Sequence, residues 1–225
     1  MTILQINNLN KKYQKQQVLN NLSFSIESNG IYSIVGTNGV GKTTLFKTIL
    51  GYVKYDSGDI NINTERLGFV PDTPSLYEYL SGEEYLMFVS SILGVPKEQR
   101  SDIVRDKLKL FNLYNSKDKL LTTYSNGMKQ KIAIASAIID NPDILFLDEP
   151  LTGVDLISTD SIKSYLKDYA ELNTVIFTTH ILELAYSLSK KIFILHKGNI
   201  REQLSTNEFS LAEIEDIIKG IYIND

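Results

Sequence analysis

A nine-residue stretch, Gly36-Thr37-Asn38-Gly39-Val40-Gly41-Lys42-Thr43-Thr44, follows directly on an apolar run, Ile31-Tyr32-Ser33-Ile34-Val35. Its spacing is G-x-x-x-x-G-K-[S/T]. That spacing dictates local structure. The apolar run reads as a buried strand, the glycines as a loop, and Lys42 to Leu50 as a helix. Glycines let backbone N–H groups approach an anion with no Cβ in the way. The helix that opens near Gly41 turns its positive end toward the same anion. Lys42 reaches the β- and γ-phosphates of a nucleotide, and the Thr43 hydroxyl can ligate Mg²⁺. The chain is therefore built around a strand, a phosphate loop and a helix.

The remainder fits an α/β core. Ile3 to Ile26 reads as several short strands separated by Asn-rich turns. Asp56-Ser57-Gly58-Asp59 reads as a turn before a strand at 60–62, and Leu67 to Val70 as a strand stopped by Pro71. From 73 to 128 the pattern is helical. Ser81 and Glu84 have the capping-box spacing, and Ile103, Val104, Leu108 and Phe111 mark a second amphipathic helix. After 128, a helix to Asp140 precedes strands at 144–147, 174–178 and 192–196, with helices between them and a packing helix near the C-terminus. The expectation is a nucleoside triphosphatase core with a mainly parallel sheet, an N-terminal antiparallel β region and an inserted helical subdomain. Residues 1–72 and 129–225 form the core and 73–128 the insert, together making one domain.

Two further segments carry chemistry. Asp148 ends the apolar strand Ile144-Leu145-Phe146-Leu147, where a second metal carboxylate belongs in a phosphate-loop protein. Glu149 follows it and is placed to polarise a water attacking the γ-phosphate, which favours hydrolysis over transfer to another acceptor. Upstream, Tyr124-Ser125-Asn126-Gly127-Met128 puts a hydroxyl and a glycine at a helix start, a second anion-binding arrangement.

Composition excludes other classes. The chain has no cysteine, so disulfides and thiolate chemistry are absent, and its two histidines are too few for a histidine-rich metal site. A net charge of −4 argues against non-specific nucleic-acid binding. No run approaches the roughly 18–20 apolar residues of a membrane span, and no leader is visible at Met1-Thr2-Ile3-Leu4-Gln5.

Taken in order, these motifs resemble the nucleotide-binding subunit of ABC transporters over essentially the whole chain. Residues 36–44 look like the Walker A loop and 144–149 like Walker B with its catalytic glutamate. Ser125-Asn126-Gly127 looks like part of the signature, Asp155 like the D-loop aspartate, and His180 like the switch histidine. Tyr13 falls where the family stacks an aromatic on adenine, and Asp72 at the Q-loop position. The resemblance implies an ATPase that binds MgATP. Its metal ligands would be Thr43, Asp72 and Asp148, the last through water, and Glu149 and His180 would act at the γ-phosphate. It also implies two subunits closing head to tail, identical or not, so that Ser125, Gly127 and Asp155 lie at the interface and Ser125 and Gly127 serve the partner's nucleotide. A separate transmembrane permease would hold the subunit on the inner face of the cell membrane and dock near Leu76, Tyr77, Tyr79, Tyr85 and Phe88.

The chain departs from the family pattern at three places. Asn126 and Met128 stand where the signature has Gly and Gln, and Asp72 replaces the Q-loop glutamine. With the wording of 76–82 and 124–130, these point to the branch that exports drugs, peptides and bacteriocins. A soluble ABC-type ATPase of translation or DNA maintenance is the alternative, and a phosphate-loop kinase fits less well because the signature would have no role in it.

Overall fold

The computed structural model describes residues 2–223. Three strands, β1 (Leu4–Tyr13), β2 (Gln16–Ile26) and β4 (Ser57–Ile62), form an antiparallel sheet in the order β2-β1-β4. The main sheet has six strands: β3 (Gly30–Val35), β5 (Leu67–Val70), β6 (Ile144–Asp148), β7 (Thr174–Thr179), β8 (Lys191–His196) and β9 (Asn199–Ser205). Their order is β5-β6-β7-β3-β8-β9. The first five are parallel and β9 pairs antiparallel with β8 at the edge. The helices are α1 (Lys42–Ile49), α2 (Gly82–Ile92), α3 (Lys97–Leu110), α4 (Asn126–Ala137), α5 (Leu156–Tyr169), α6 (Leu182–Leu188) and α7 (Leu211–Ile223).

Alternation along the central strands splits the core in two. Leu145, Leu147, Val175 and Phe177 face α4, α5 and the helices of the 73–128 segment. Ile144, Phe146, Ile176, Tyr32 and Ile34 face α1 and the small sheet, where Phe46 meets Phe146 edge-on at 5.2 Å. A smaller cluster joins α6 and α7 to β8 through Ala185, Ile192, Ile194 and Ile214. Strands buried on both faces read as continuous apolar runs, which is why β3, β6 and β7 were legible in sequence.

Several expectations are corrected. The N-terminal region is two long strands, not several short ones. Asn8 and Asn21, with φ of 48° each, do not end strands; they sit where the β1–β2 pairing is irregular. Residues 57–59 are strand rather than turn. Gly58 lies so close to β1 that a Cβ would meet the Asn8 and Asn7 carbonyls at 2.5 and 2.7 Å. Helix α4 starts at Asn126 and ends at Ala137, ahead of the 128–140 span. β9 had no clear signal in the sequence. The capping box of α2 is present: Glu84 N–H donates to Ser81 Oγ at 3.2 Å, and Ser81 N–H donates to Glu84 Oε2 at 2.8 Å.

Candidate nucleotide site

Parallel register brings the chemistry together. Val35 of β3 lies beside Thr179 of β7, and Asp148 of β6 beside Thr178 of β7. The phosphate loop, the two carboxylates and His180 thus leave three adjacent strands at their carboxyl ends, where open α/β sheets bind ligands.

A cavity of about 470 Å³ opens there. Its lining includes Tyr13 from the end of β1, Asn38, Gly39, Gly41, Lys42, Thr43 and Thr44 from the loop and α1, and Asp72, Glu149 and His180. Gly39 and Gly41 adopt φ of +80° and +115°, which L side chains avoid. Gly36 has no room for a Cβ, since the Leu195 carbonyl would stand 2.6 Å away. No side chain caps α1, so its first amides face the cavity as anion donors. Tyr13 is 45% exposed at the rim, with Lys11 Nζ over its ring, 4.9 Å from the centre.

The floor of the cavity is a charge cluster. Lys42 Nζ donates to the Gly36 and Thr37 carbonyls at 2.8 and 3.3 Å and lies 3.1 Å from Glu149 Oε1. Glu149 Oε2 lies 3.0 Å from His180 Nδ1 and accepts from Thr152 Oγ1 at 3.2 Å. Burial alone would raise the Glu149 carboxyl, but His180 and Lys42 outweigh it and hold the group below its ordinary value. Its backbone is left-handed, with φ of 48°, a conformation costing roughly 1–2 kcal/mol in an L-residue. The Glu149 N–H donates to Thr178 Oγ1 at 3.0 Å and helps hold that turn.

Asp148, 1% exposed, accepts from Thr43 Oγ1 at 2.6 Å and from Thr178 Oγ1 at 2.5 Å. Thr43, Asp148 and Asp72 are hard oxygen donors of the kind Mg²⁺ takes. Among the described residues no three carboxylates or imidazoles converge as a ready-made metal cage. Asp72 is raised from its ordinary value by burial, then by the nearby Asp148 and Glu149 charges, against the opposing pull of Lys42 and His180.

Ser125, Asn126 and Gly127 do not line this cavity. They form the start of α4, where Ser125 Oγ accepts from Met128 N–H at 3.3 Å. Gly127 is buried against the start of α5: a Cβ there would meet Asp155 Oδ2 at 2.4 Å and Ser158 Oγ at 2.5 Å. Asp155 caps α5 by accepting from Ser158 N–H at 2.9 Å. Gly36, Thr37 and Val40 complete the loop outside the lining. Thr178 is the functional contact that the sequence reading missed; its only sequence signal is its position across from Asp148 on the neighbouring strand.

A family model described as ABC transporter matches residues 19–152, more than half of the chain. The chain belongs to the ABC transporter ATP-binding family. A relative, the bacitracin transport ATP-binding protein BcrA of Bacillus licheniformis, is 32% identical over 90% of this chain and 70% of its own length. The lipopolysaccharide export system ATP-binding protein LptB of Haemophilus influenzae is 29% identical over all of this chain and 98% of its own length. A solved structure described as the ATP binding subunit of an ABC transporter superposes with a TM-score of 0.86 at 26% identity, covering 98% of this chain and 99% of that one. This ABC protein is thus the ATP-binding subunit of a transporter, an ATPase whose hydrolysis drives transport, and it works with a transmembrane partner. Among the described residues no helix is long and apolar enough to cross a membrane.

Proposed function

We propose that this subunit hydrolyses MgATP at the cavity bounded by Lys42, Glu149 and His180, within a head-to-tail pair of ATPase subunits, and drives export through a separate permease on the inner face of the cell membrane. The observation that carries the reading is the placement of Glu149. It is the acid at the cavity floor that touches both the phosphate-loop lysine and the histidine at the end of β7.

In this reading Tyr13 stacks on adenine. The loop amides of 36–41 and Lys42 hold the β- and γ-phosphates, and Thr43, Asp148 and Asp72 hold Mg²⁺, Asp148 through water. When bound, the metal neutralises charge on the β- and γ-oxygens. Glu149 releases Lys42 to the phosphate and turns to orient a water, and His180 reads the γ-phosphate. Ser125 and Gly127 serve a nucleotide held by the second subunit, with Asp155 at the same interface. The helical segment 73–128 acts as a subdomain against the core of 1–72 and 129–225, and exposed Tyr77, Tyr79 and Phe88 offer the permease a contact. Export is supported by the bacitracin transport and lipopolysaccharide export relatives and by the acid at position 72.

The test is Glu149→Gln. Phosphate release should fall by about 10²–10⁴-fold, the range for a general base, while MgATP binding persists and two copies associate. Wild-type turnover in that variant would overturn the assignment.

A further inference from the structure

Asparagine precedes glycine at three places in this chain: Asn29-Gly30, Asn38-Gly39 and Asn126-Gly127. At such a step the glycine amide nitrogen can close on the asparagine carboxamide, because glycine has no Cβ to obstruct the approach. Closure needs a backbone free to turn and a glycine N–H that is not already donated.

Two of the three steps are locked. Asn29 Nδ2 donates to the Leu172 carbonyl at 2.6 Å, and its Oδ1 accepts from Thr174 Oγ1 at 3.3 Å. Gly30 N–H donates to the Asn173 carbonyl at 3.1 Å. Asn126 and Gly127 lie in the first turn of α4 behind the Ser125 cap, and Gly127 is buried against Asp155 and Ser158. Turning either peptide means first opening the start of β3 or the contact between α4 and α5.

The step in the phosphate loop has neither restraint. Asn38 and Gly39 are the central residues of an exposed turn, closed by Val40 N–H donating to the Thr37 carbonyl at 3.3 Å. Among the described residues neither the Asn38 side chain nor the Gly39 N–H has a hydrogen-bond partner. The lysine ties stop short of them, at Gly36 and Thr37. No atom lies within 4 Å of where a Gly39 Cβ would stand. Asn38 borders the nucleotide cavity on one side and a cleft of about 430 Å³ on the other, so its side chain has room to fold back. The uncapped positive end of α1 also eases the negative charge that develops during closure.

We propose that Asn38 is a self-modification site: in the nucleotide-free chain Gly39 closes on it, the loop acquires an acid, and bound nucleotide prevents the change. The Gly39 nitrogen loses its proton to water or hydroxide and bonds to Asn38 Cγ. The bond from Cγ to Nδ2 breaks and ammonia leaves, giving a five-membered succinimide. Water opens that ring at either carbonyl, leaving aspartate or isoaspartate. One water is consumed and one ammonia released, with no oxidation or reduction. The new carboxylate repels phosphate, and the iso form also lengthens the loop backbone. Protection rests on the reading that the amides of 36–41 hold phosphate, which would occupy the Gly39 N–H.

The experiment incubates the full chain in mildly alkaline buffer and follows acid formation at Asn29, Asn38 and Asn126 by peptide mass mapping. The other two steps serve as controls within the same molecule. Without nucleotide, Asn38 should convert faster than either by about tenfold or more, since they require local opening first. In Glu149→Gln, which spares the nucleotide, MgATP at 100 times its Kd should slow the Asn38 conversion by about 100-fold. Asn38→Asp should weaken MgATP binding about tenfold through like-charge repulsion. Conversion at Asn38 no faster than at Asn29 or Asn126 overturns the proposal, as does an unchanged Asn38 rate with MgATP shown by titration to be bound. Unaltered affinity in Asn38→Asp overturns the effect on phosphate; if that variant does not fold, MgATP titration of converted wild-type chain decides the same point. If MgATP does not bind the fresh chain at all, the functional reading falls, and the order of rates among the three asparagines still decides the modification.

Discussion

Lys42 Nζ and Glu149 Oε1 are paired at 3.1 Å across the floor of the nucleotide cavity. Both groups are largely withdrawn from water, with side-chain exposures of 7% and 11%. In the proposed reading Lys42 serves phosphate and Glu149 serves water, and here each charge balances the other. On that reading a nucleotide separates the pair, and its γ-phosphate then stands near an acid. Glu149→Gln removes that repulsion. MgATP affinity should rise about fivefold, corresponding to ~1 kcal/mol of relieved like-charge repulsion, and equilibrium titration of both proteins checks it. Unchanged or weaker binding in the variant would mean that the pair does not oppose phosphate entry.

Thr178 joins the two carboxylates. Its hydroxyl donates to Asp148 Oδ1 and accepts from Glu149 N–H, and the residue is fully buried. Valine has the same shape with no hydroxyl. Thr178→Val should cost ~1–3 kcal/mol of stability by leaving a buried carboxylate oxygen and an amide without partners. It should also lower kcat more than it raises KM, because the left-handed turn at Glu149 loses one of its supports. Urea unfolding and steady-state phosphate release give the two numbers. Wild-type values in both would make the hydroxyl dispensable.

Gly127 sits inside a helix, where glycine is a poor choice unless something requires it. Here the start of α5 requires it: Asp155 Oδ2 and Ser158 Oγ occupy the space of a Cβ. Gly127→Ala should therefore destabilise the protein by ~1–3 kcal/mol through overpacking, despite the better helix propensity of alanine. A rise in melting temperature would show that α4 and α5 can separate at no cost.

What the sequence revealed depended on how local each feature was. The phosphate loop and the Ser81–Glu84 box are set by neighbours in the chain, so spacing alone specified them. The buried strands β3, β6 and β7 were legible as unbroken apolar runs. Thr178 was not, because its role comes from lying across from Asp148 in a parallel pair, and register between distant strands leaves no local mark. Asn8, Asn21 and Gly58 misled for a related reason: residues that usually punctuate turns here accommodate irregular pairing or close approach inside strands. The α4 start was placed late because Asn126 and Gly127 read as a turn. The Ser125 cap and the packing of Gly127 on α5 make them the first helical turn.

Asp72 supports a prediction with a pH signature. Burial first, then the charges of Asp148 and Glu149, raise its carboxyl above the ordinary value of 3.8. The sign follows from linkage: a carboxyl whose folded pKa is raised favours the folded state below its unfolded pKa, and that advantage is lost as pH rises through the folded pKa. At neutral pH the ionised Asp72 therefore weighs against the nucleotide-free fold. Asp72→Asn should raise the melting temperature at pH 7 in EDTA, and the gain should shrink as pH falls toward 3.8. On the proposed reading the direction reverses with MgATP present, because the carboxylate then serves as an oxygen donor. Half-saturating Mg²⁺ for phosphate release should rise in Asp72→Ala, and less so in Asp72→Gln, which keeps an oxygen at this position. Melting temperatures that differ by the same amount at every pH would remove the electrostatic account, and unaltered Mg²⁺ dependence in both substitutions would leave Asp72 as a bystander at the cavity wall.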